Sequence, residues 1–185
     1  MSPLRLPAPP GFVRLFFALM ALAVALPWAT LAQKEKGVGL TMSGDADPKD
    51  IGLPLYPGSR RHKEKDEDSA GINFGAWGSG AGVKLAVLKM ESDDSPDRVA
   101  GYYKKKLAKY GKVLDCSHVD PSAKEGGPNE SDKKDAPLTC GDDKPDKGGL
   151  LFKSGTQQDQ HLVSIQAGPH GGSMFQLVHS AHWDK

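Results

Sequence analysis

The chain has 185 residues, and its 24 lysine and arginine residues against 23 aspartate and glutamate residues give a formal net charge of +1. A near-neutral chain has no global electrostatic reason to bind DNA, RNA or an anionic membrane, so we expect no nucleic-acid partner. Its 22 glycine and 14 proline residues indicate extensive loops around a core of single-domain size.

The N-terminus has the layout of a secretory signal peptide. Arg5 and Arg14 precede an apolar run, residues 15–26 (LFFALMALAVAL), and small residues follow Pro27. A membrane-spanning helix needs about 20 apolar residues, and Pro27 interrupts the run before that length. We therefore predict cleavage after Ala32, with an uncleaved anchor as the alternative.

Cleavage would define residues 1–32 as the signal peptide of an exported protein, periplasmic or secreted. The two arginines of this segment would be lost, leaving 22 basic against 23 acidic residues and a net charge of about −1. No cysteine lies near the predicted cut, so we expect neither a lipid anchor nor any stable membrane anchor after cleavage.

The two cysteines, Cys116 and Cys140, are predicted to form a disulfide bond. An isolated pair in an oxidising compartment usually forms a bridge, which here would stabilise the fold by roughly 3 kcal/mol. The alternatives lack support because there is no C-x-x-C spacing for a redox dithiol and no histidine at metal-finger spacing.

Residues 33–50 lack an apolar period and are predicted to be a flexible arm, with order beginning at Ile51 and a single α+β domain over residues 51–185. Residues 51–58 (IGLPLYPG) contain two prolines, which restrict them to an edge strand or an extended surface segment. Pro57-Gly58 should turn the chain. Three apolar side chains are expected to pack against the core: Leu53, Leu55 and Tyr56.

Glycine-rich residues 70–83 predict a hairpin that carries Phe74 and Trp77 inward or onto a neighbour. A phosphate-binding loop is excluded because neither the G-x-x-x-x-G-K-[ST] order nor the third glycine of a dinucleotide fingerprint is present. The alternation in residues 83–90 (VKLAVLKM) predicts a strand.

Residues 96–110 are predicted to form the principal helix. Ser95 suits the N-cap, Pro96 the first helical position and Gly111 the stop. At 100° per residue an apolar stripe forms on one side: Val99, Tyr103, Leu107 and Tyr110. The lysines in this stretch are predicted to be solvated, with polyanion binding as the less favoured alternative: Lys104, Lys105, Lys106, Lys109 and Lys112.

After the helix, residues 112–117 and 136–141 are predicted to be two strands joined by the disulfide. Between them, residues 119–135 are too polar to fold independently and are predicted to be a disordered insertion. A turn at residues 142–148 has acids without the ligand order of a calcium-binding EF-hand loop.

Three strands are then predicted, at residues 149–154, 160–167 and 173–183, and their short glycine-containing links favour antiparallel hairpins. The resulting fold class is α+β, mainly an antiparallel sheet with one principal helix packed on one face.

His161 and His179 are the candidate metal ligands. If Ala167 pairs with Ser173, partner numbers sum to 340 and place the two histidines opposite each other, and a one-residue slip would expose an apolar set. Such a pair could hold Cu(II), Ni(II) or Zn(II), whereas the favoured alternative is a hydrogen-bonded pair. A further donor is not evident, since His182 has the opposite parity and His170 lies in the turn.

No catalytic motif is present: there is no G-x-S-x-G elbow, no H-E-x-x-H and no carboxylate pair that periodicity places in an apolar setting. We therefore expect that the protein is not an enzyme and binds no obligatory cofactor. An unrecognised hydrolase is kept as an alternative, since many active sites lack a local signature.

The segments L-P-L-Y-P-G (residues 53–58), S-P-D-R-V-A-G-Y-Y-K-K-K-L (95–107) and K-Y-G-K-V-L-D-C (109–116) resemble an uncharacterised family of small exported bacterial proteins. In that family a tyrosine-proline-glycine turn precedes a strand pair and a helix that begins at Ser-Pro and ends at glycine. The resemblance covers residues 51–116 well and the C-terminal strands loosely. It implies an exported domain and no activity, so no functional residue is carried over.

Taken together, these features predict an exported non-catalytic binding or structural module of unknown ligand. Its interaction surface would be the aromatic and glycine-rich segment around Trp77. The alternatives are a periplasmic metal-binding protein that uses His161 and His179, with Cu or Zn as the ion, and an unrecognised hydrolase.

Overall fold

The computed structural model describes residues 37–64, 69–118, 138–141 and 143–184. The signal-peptide and insertion predictions, for residues 1–32 and 119–135, fall outside these ranges. The described elements, in chain order, are β1 (Gly39–Ser43), α1 (Pro48–Ile51), β2 (Arg60–Arg61), β3 (Gly71–Gly78), β4 (Ala81–Ser92), α2 (Pro96–Leu107), β5 (Leu114–Asp115), β6 (Leu150–Gly155), β7 (Asp159–Ala167) and β8 (Ser173–Trp183). A 3₁₀ turn, Ala108–Tyr110, continues α2.

The strands form one antiparallel sheet in the order β1-β3-β4-β8-β7-β6-β5, and β2 pairs with β4. Three hairpins join neighbours in this order: β3–β4, β6–β7 and β7–β8. The helix α2 packs on one face of the sheet, which we call the covered face. The α+β prediction, an antiparallel sheet with one principal helix and one disulfide, is confirmed.

The predicted register of the last hairpin is confirmed. Ala167 pairs with Ser173 and His161 pairs with His179. Between them, Val163 and Leu177 face each other, and both are 0% exposed. The apolar alternation specifies this register because a shift of one residue would move both side chains to the other face.

The helix α2 has the predicted stripe on its buried side. Val99, Tyr103 and Leu107 are 0% exposed, and Tyr110 packs half-buried at the end of the stripe. Ser95 occupies the N-cap position but its side chain makes no capping hydrogen bond. The lysines are exposed as predicted: Lys104, Lys105, Lys106, Lys109 and Lys112.

The covered face buries a single apolar cluster. Its largest fully buried side chains come from the helix, the sheet and the segment before β2: Tyr103, Phe152, Ile51, Leu53, Leu88, Met90, Leu107, Ile165 and Leu177. Burial of a side chain of this size contributes about 1.5–3 kcal/mol, so this cluster dominates the stability of the fold.

The structure corrects the prediction that order begins at Ile51. Within residues 33–50 it has β1, which pairs with β3, and the start of α1. The helix α1 is held by a capping box, in which the Asp47 side chain accepts from a backbone N–H and Asp50 reaches back to the Asp47 N–H. The capping box is a short-range sequence signal that does not depend on an apolar period, so hydrophobic periodicity does not predict α1.

Residues 53–58 form an extended segment over α2 rather than an edge strand. Leu53 is buried and Pro57-Gly58 turns the chain as predicted, but Leu55 is 38% exposed, which corrects its expected burial. The Tyr56 hydroxyl donates to Asp94 over 2.7 Å, and its ring contacts the edge of Tyr102. Hydrogen bonding to Asp94 raises the pKa of Tyr56.

The glycine-rich hairpin is confirmed as β3 and β4, with Ser79 and Gly80 in the turn. Trp77 is 42% exposed and its indole covers Gly39 of β1, where no side chain would fit. Trp77 therefore packs onto a neighbouring strand, the second of the two predicted placements.

Cys116 and Cys140 form the predicted disulfide. The strand predicted at residues 112–117 is only the two residues of β5, and residues 138–140 are not a strand, which corrects the second prediction. Lys153 anchors this segment instead, because its buried ammonium donates to the Thr139 carbonyl at 3.1 Å and to Asp143 at 2.6 Å. In the described part of the chain, no helix is long and apolar enough to cross a membrane.

Candidate metal centre

The two predicted histidines meet at one end of the covered face, beyond the apolar cluster. His161 lies on β7 and His179 lies opposite it on β8. Asp159, two residues before His161 on β7, points to the same face because strand side chains alternate with a period of two. Single donor atoms from these three residues all lie within 4.8 Å of one another.

His179 is oriented by hydrogen bonds through both ring nitrogens. Its Nδ1 lies 2.8 Å from the Asp50 carbonyl oxygen, which can only accept, so Nδ1 carries a proton. Its Nε2 lies 2.9 Å from Asp159 Oδ1. Because a carboxylate oxygen and an unprotonated Nε2 are both electron-pair donors, this short distance requires a shared proton or a metal ion.

His161 is held between two rings. It stacks on Tyr110 with ring centroids 3.6 Å apart and on His179 with centroids 4.4 Å apart, and only 4% of it is exposed. Its Nδ1 is buried and has no hydrogen-bond partner in the described part of the chain. The nearest carboxylate oxygen is Asp159 Oδ1 at 3.9 Å, which is too far for a hydrogen bond.

The surroundings of His161 favour its neutral form. Burial, followed by the charge of His179, lowers the pKa of His161 to about 4. Removing a cation from water is costly unless it is paired, and Asp159 opposes this shift only in part. A neutral imidazole is the form that binds metal ions, so protons do not compete for His161 at neutral pH.

Gly52 allows the segment after α1 to lie against the ring stack. Gly52 has φ +75°, and its carbonyl accepts a hydrogen bond from the Tyr110 hydroxyl. A Cβ at this position would lie 2.8 Å from the Tyr110 hydroxyl and 3.0 Å from His161 Nε2. Only glycine satisfies both the backbone conformation and the close approach.

Asp159 was not predicted as a ligand, although the D-x-H spacing at the start of β7 places it on the same face as His161. The two histidines that were set aside as further donors, His170 and His182, lie outside this group of donors. His182 pairs with Val83 and is exposed on the opposite side of the sheet, and His170 lies in the turn with φ +56°.

The donors form a set of two nitrogens and one oxygen, which suits Zn(II), Cu(II) or Ni(II). A hydrolase would need a nucleophile that a substrate can reach. Ser154 pairs with His161 across β6 and β7, but it is 0% exposed and its hydroxyl makes no hydrogen bond to His161. Ser154 therefore does not form a nucleophile–base pair with His161 in this structure.

Comparisons of the chain with protein-family models, with curated proteins and with solved structures found no match. The fold and the Asp159–His161–His179 cluster are therefore the observations from which a function can be inferred. The resemblance to small exported bacterial proteins stays a prediction.

Proposed function

We propose that the protein is an exported, non-catalytic binding module whose ligand is a divalent transition-metal ion held by Asp159, His161 and His179. The observation that carries this proposal is the buried Nδ1 of His161, which has no hydrogen-bond partner in the described residues. An unsatisfied buried nitrogen costs about 1–3 kcal/mol. A metal ion shared with the neighbouring donors would remove that cost.

The hydrogen bond from His179 to the backbone supports the same ligand. The Asp50 carbonyl holds the proton on Nδ1 and directs the lone pair of Nε2 towards Asp159. A carbonyl behind a ligating histidine is the usual means of setting its tautomer and orientation. A metal ion bound at this place would be shared by Nε2 and the Asp159 carboxylate.

Export is the second part of the proposal. The disulfide between Cys116 and Cys140 is typical of oxidising compartments, and the N-terminal 32 residues have the pattern of a signal peptide. The resemblance of residues 51–116 to small exported bacterial proteins accords with both features.

Calorimetric titration of the purified, chelator-treated protein with ZnCl₂ and CuCl₂ tests the metal site. We expect one ion per chain, with Cu(II) bound more tightly than Zn(II) as the Irving–Williams order requires. Asp159→Asn and His179→Gln should each weaken binding at least 10-fold, because even the loss of an outer-shell partner of a ligand costs about 10–100-fold. Copper EPR should show coupling to two nitrogens, which His179→Gln reduces to one.

The matched control is His182→Gln, which removes an exposed histidine from the other side of β8. This variant should bind like the wild type. Equal affinities for the wild type and Asp159→Asn, or equal losses in His182→Gln and His179→Gln, would refute the site. Recovery of both cysteines as free thiols from the exported protein would refute export into an oxidising compartment.

A further inference from the structure

The side of the sheet turned away from α2 is also apolar. We call it the open face and define it by six side chains: Leu40, Met42, Ile72, Leu85, Val87 and Val178. Leu40 is 70% exposed, Met42 78% and Ile72 46%. An antiparallel sheet with one face in water normally carries polar side chains there. Ser180 and His182 of β8 keep that pattern, whereas the open-face positions of β1, β3 and residues 83–87 of β4 are apolar.

The strand register makes these side chains contiguous. Ile72 pairs with Val87, which pairs with Val178, so one apolar row crosses three strands. In the next row, Met42 pairs with Phe74 and Phe74 pairs with Leu85. Scattered apolar residues on a surface are normal, whereas a continuous patch of this kind marks an interaction site.

Charges are confined to the margin of the open face. Lys89 and Glu91 follow Val87 on the same side of β4, where Glu91 binds Arg60 and His62. On β6, the buried Lys153 is covered by Asp143. Within the rows from β1 to β7, the described residues include no Lys, Arg, Asp or Glu, so nothing on this face selects a charged partner.

We propose that a second copy of this chain packs on the open face, sheet against sheet. A face without charges is complementary to itself about a two-fold axis, and antiparallel sheets pack face to face about 10 Å apart. The dimer would place Leu85 and Val87 of both copies at its centre. It would give each sheet a second apolar layer, as the covered face already has.

The size of the face predicts a dimer that dissociates on dilution. Leu162 of β7 pairs with Val178 and extends the first apolar row to β7, the fifth strand of this face. A third row contains Leu40, Ala76, Val83 and His182. Five strands about 4.8 Å apart and three rows of side chains about 6.6 Å apart give a footprint of about 500 Å² per copy. Specific interfaces bury about 1,000 Å² or more in total, and standard ones about 800 Å² per partner. The open face therefore reaches the lower limit, and we expect association at micromolar to high micromolar concentrations.

Sedimentation velocity at protein concentrations from about 1 to 300 µM tests this inference. The sample is the exported protein as recovered from cells, with its N-terminus established by mass spectrometry. The weight-average mass should rise from one chain towards two. Leu85→Lys should weaken association at least 30-fold, and Met42→Lys, at the edge of the face, should weaken it less.

Leu55→Lys is the matched control, because Leu55 is 38% exposed and Leu85 is 37% exposed, but Leu55 lies in the segment over α2. It should leave association unchanged, and near-UV circular dichroism should show that every variant is folded. A constant monomer mass, equal losses in Leu55→Lys and Leu85→Lys, or a monomer that sediments with phosphatidylcholine vesicles would overturn the inference. The metal cluster lies on the covered face, so a finding that it binds no metal would leave this result unaffected.

Discussion

The two faces of the sheet have similar residue types but different surroundings. On β4, Leu88 points to the covered face and is 0% exposed, whereas Leu85 points to the open face and is 37% exposed. Both satisfy the alternation expected of a strand. What separates them is the second layer, which α2 and the segment before β2 supply on one side only. Apolar alternation thus predicts a strand, but it does not predict whether one or both faces of that strand are covered by other parts of the same chain.

Truncation of these two leucines is the strongest test of this difference. Leu88→Ala should reduce the free energy of unfolding by about 2–5 kcal/mol because it leaves a cavity in a packed core. Leu85→Ala should cost less than about 1 kcal/mol in dilute protein, where the open face contacts water. Urea denaturation at about 1 µM measures both values.

Repeating the measurement at high protein concentration sharpens the comparison. If a second copy covers the open face, the cost of Leu85→Ala should grow with concentration while that of Leu88→Ala stays the same. Equal costs for the two variants at low concentration would mean that both faces are already covered within one chain.

Loss of the disulfide should act on the fold and leave the open face unaffected. Cys116 is 0% exposed and follows β5. The double variant Cys116→Ser/Cys140→Ser should unfold with a free energy lower by about 3 kcal/mol. Its association in sedimentation should match the wild type at temperatures where it stays folded. A change in association without a change in stability would contradict this expectation.

The polar end of the covered face should make the metal-free protein sensitive to acid. The pKa of His161 is about 4 in the folded protein, against about 6.5 in an unfolded chain. Between these values the unfolded state binds more protons, so stability should fall as the pH drops from 6.5. The loss should reach about 2 kcal/mol by pH 5, as measured by urea denaturation in the presence of a chelator.

His161→Phe is the control for this pH dependence. Phenylalanine keeps a ring against Tyr110 and does not titrate, so the slope between pH 7 and pH 5 should flatten. A variant with the same slope as the wild type would show that other groups cause the acid sensitivity.

A smaller effect is expected from Gly52→Ala, at the point where the covering segment contacts the histidines. A positive φ disfavours alanine, and the added Cβ would press on Tyr110 and His161. We expect a loss of about 1–2 kcal/mol in thermal or urea unfolding. Gly58→Ala is the matched control, since Gly58 has φ +76° but nothing within 4 Å of the added Cβ. It should cost about 1 kcal/mol or less.

Local rules predicted those parts of the fold in which one side of an element is apolar. The stripe of α2 and the register of β7 and β8 follow from periods of 3.6 and 2, and both are confirmed. The same approach failed for β1, whose apolar residues Leu40 and Met42 face away from the core. Backbone hydrogen bonds to β3 hold that strand, and such pairing leaves little mark on a sequence.

The residues of the candidate site were likewise only partly predictable from the sequence. The pairing of His161 with His179 could be predicted because flanking apolar pairs set the register. The contribution of Asp50, Gly52 and Tyr110 could not, because these residues are distant in the chain and their contacts depend on where α1 packs. Asp159 could have been predicted, because it lies two residues before His161 on the same strand and therefore shares its face.

By itself, the sequence determined the order of the main elements, the cysteine pair and the alignment of the last two strands, because each depends on short-range periodicity or on a small set of partners. Only the tertiary structure decided which apolar face is covered, and which donors surround the unpaired nitrogen of His161. Both depend on long-range packing, where the free energy comes from surfaces that are far apart in the chain.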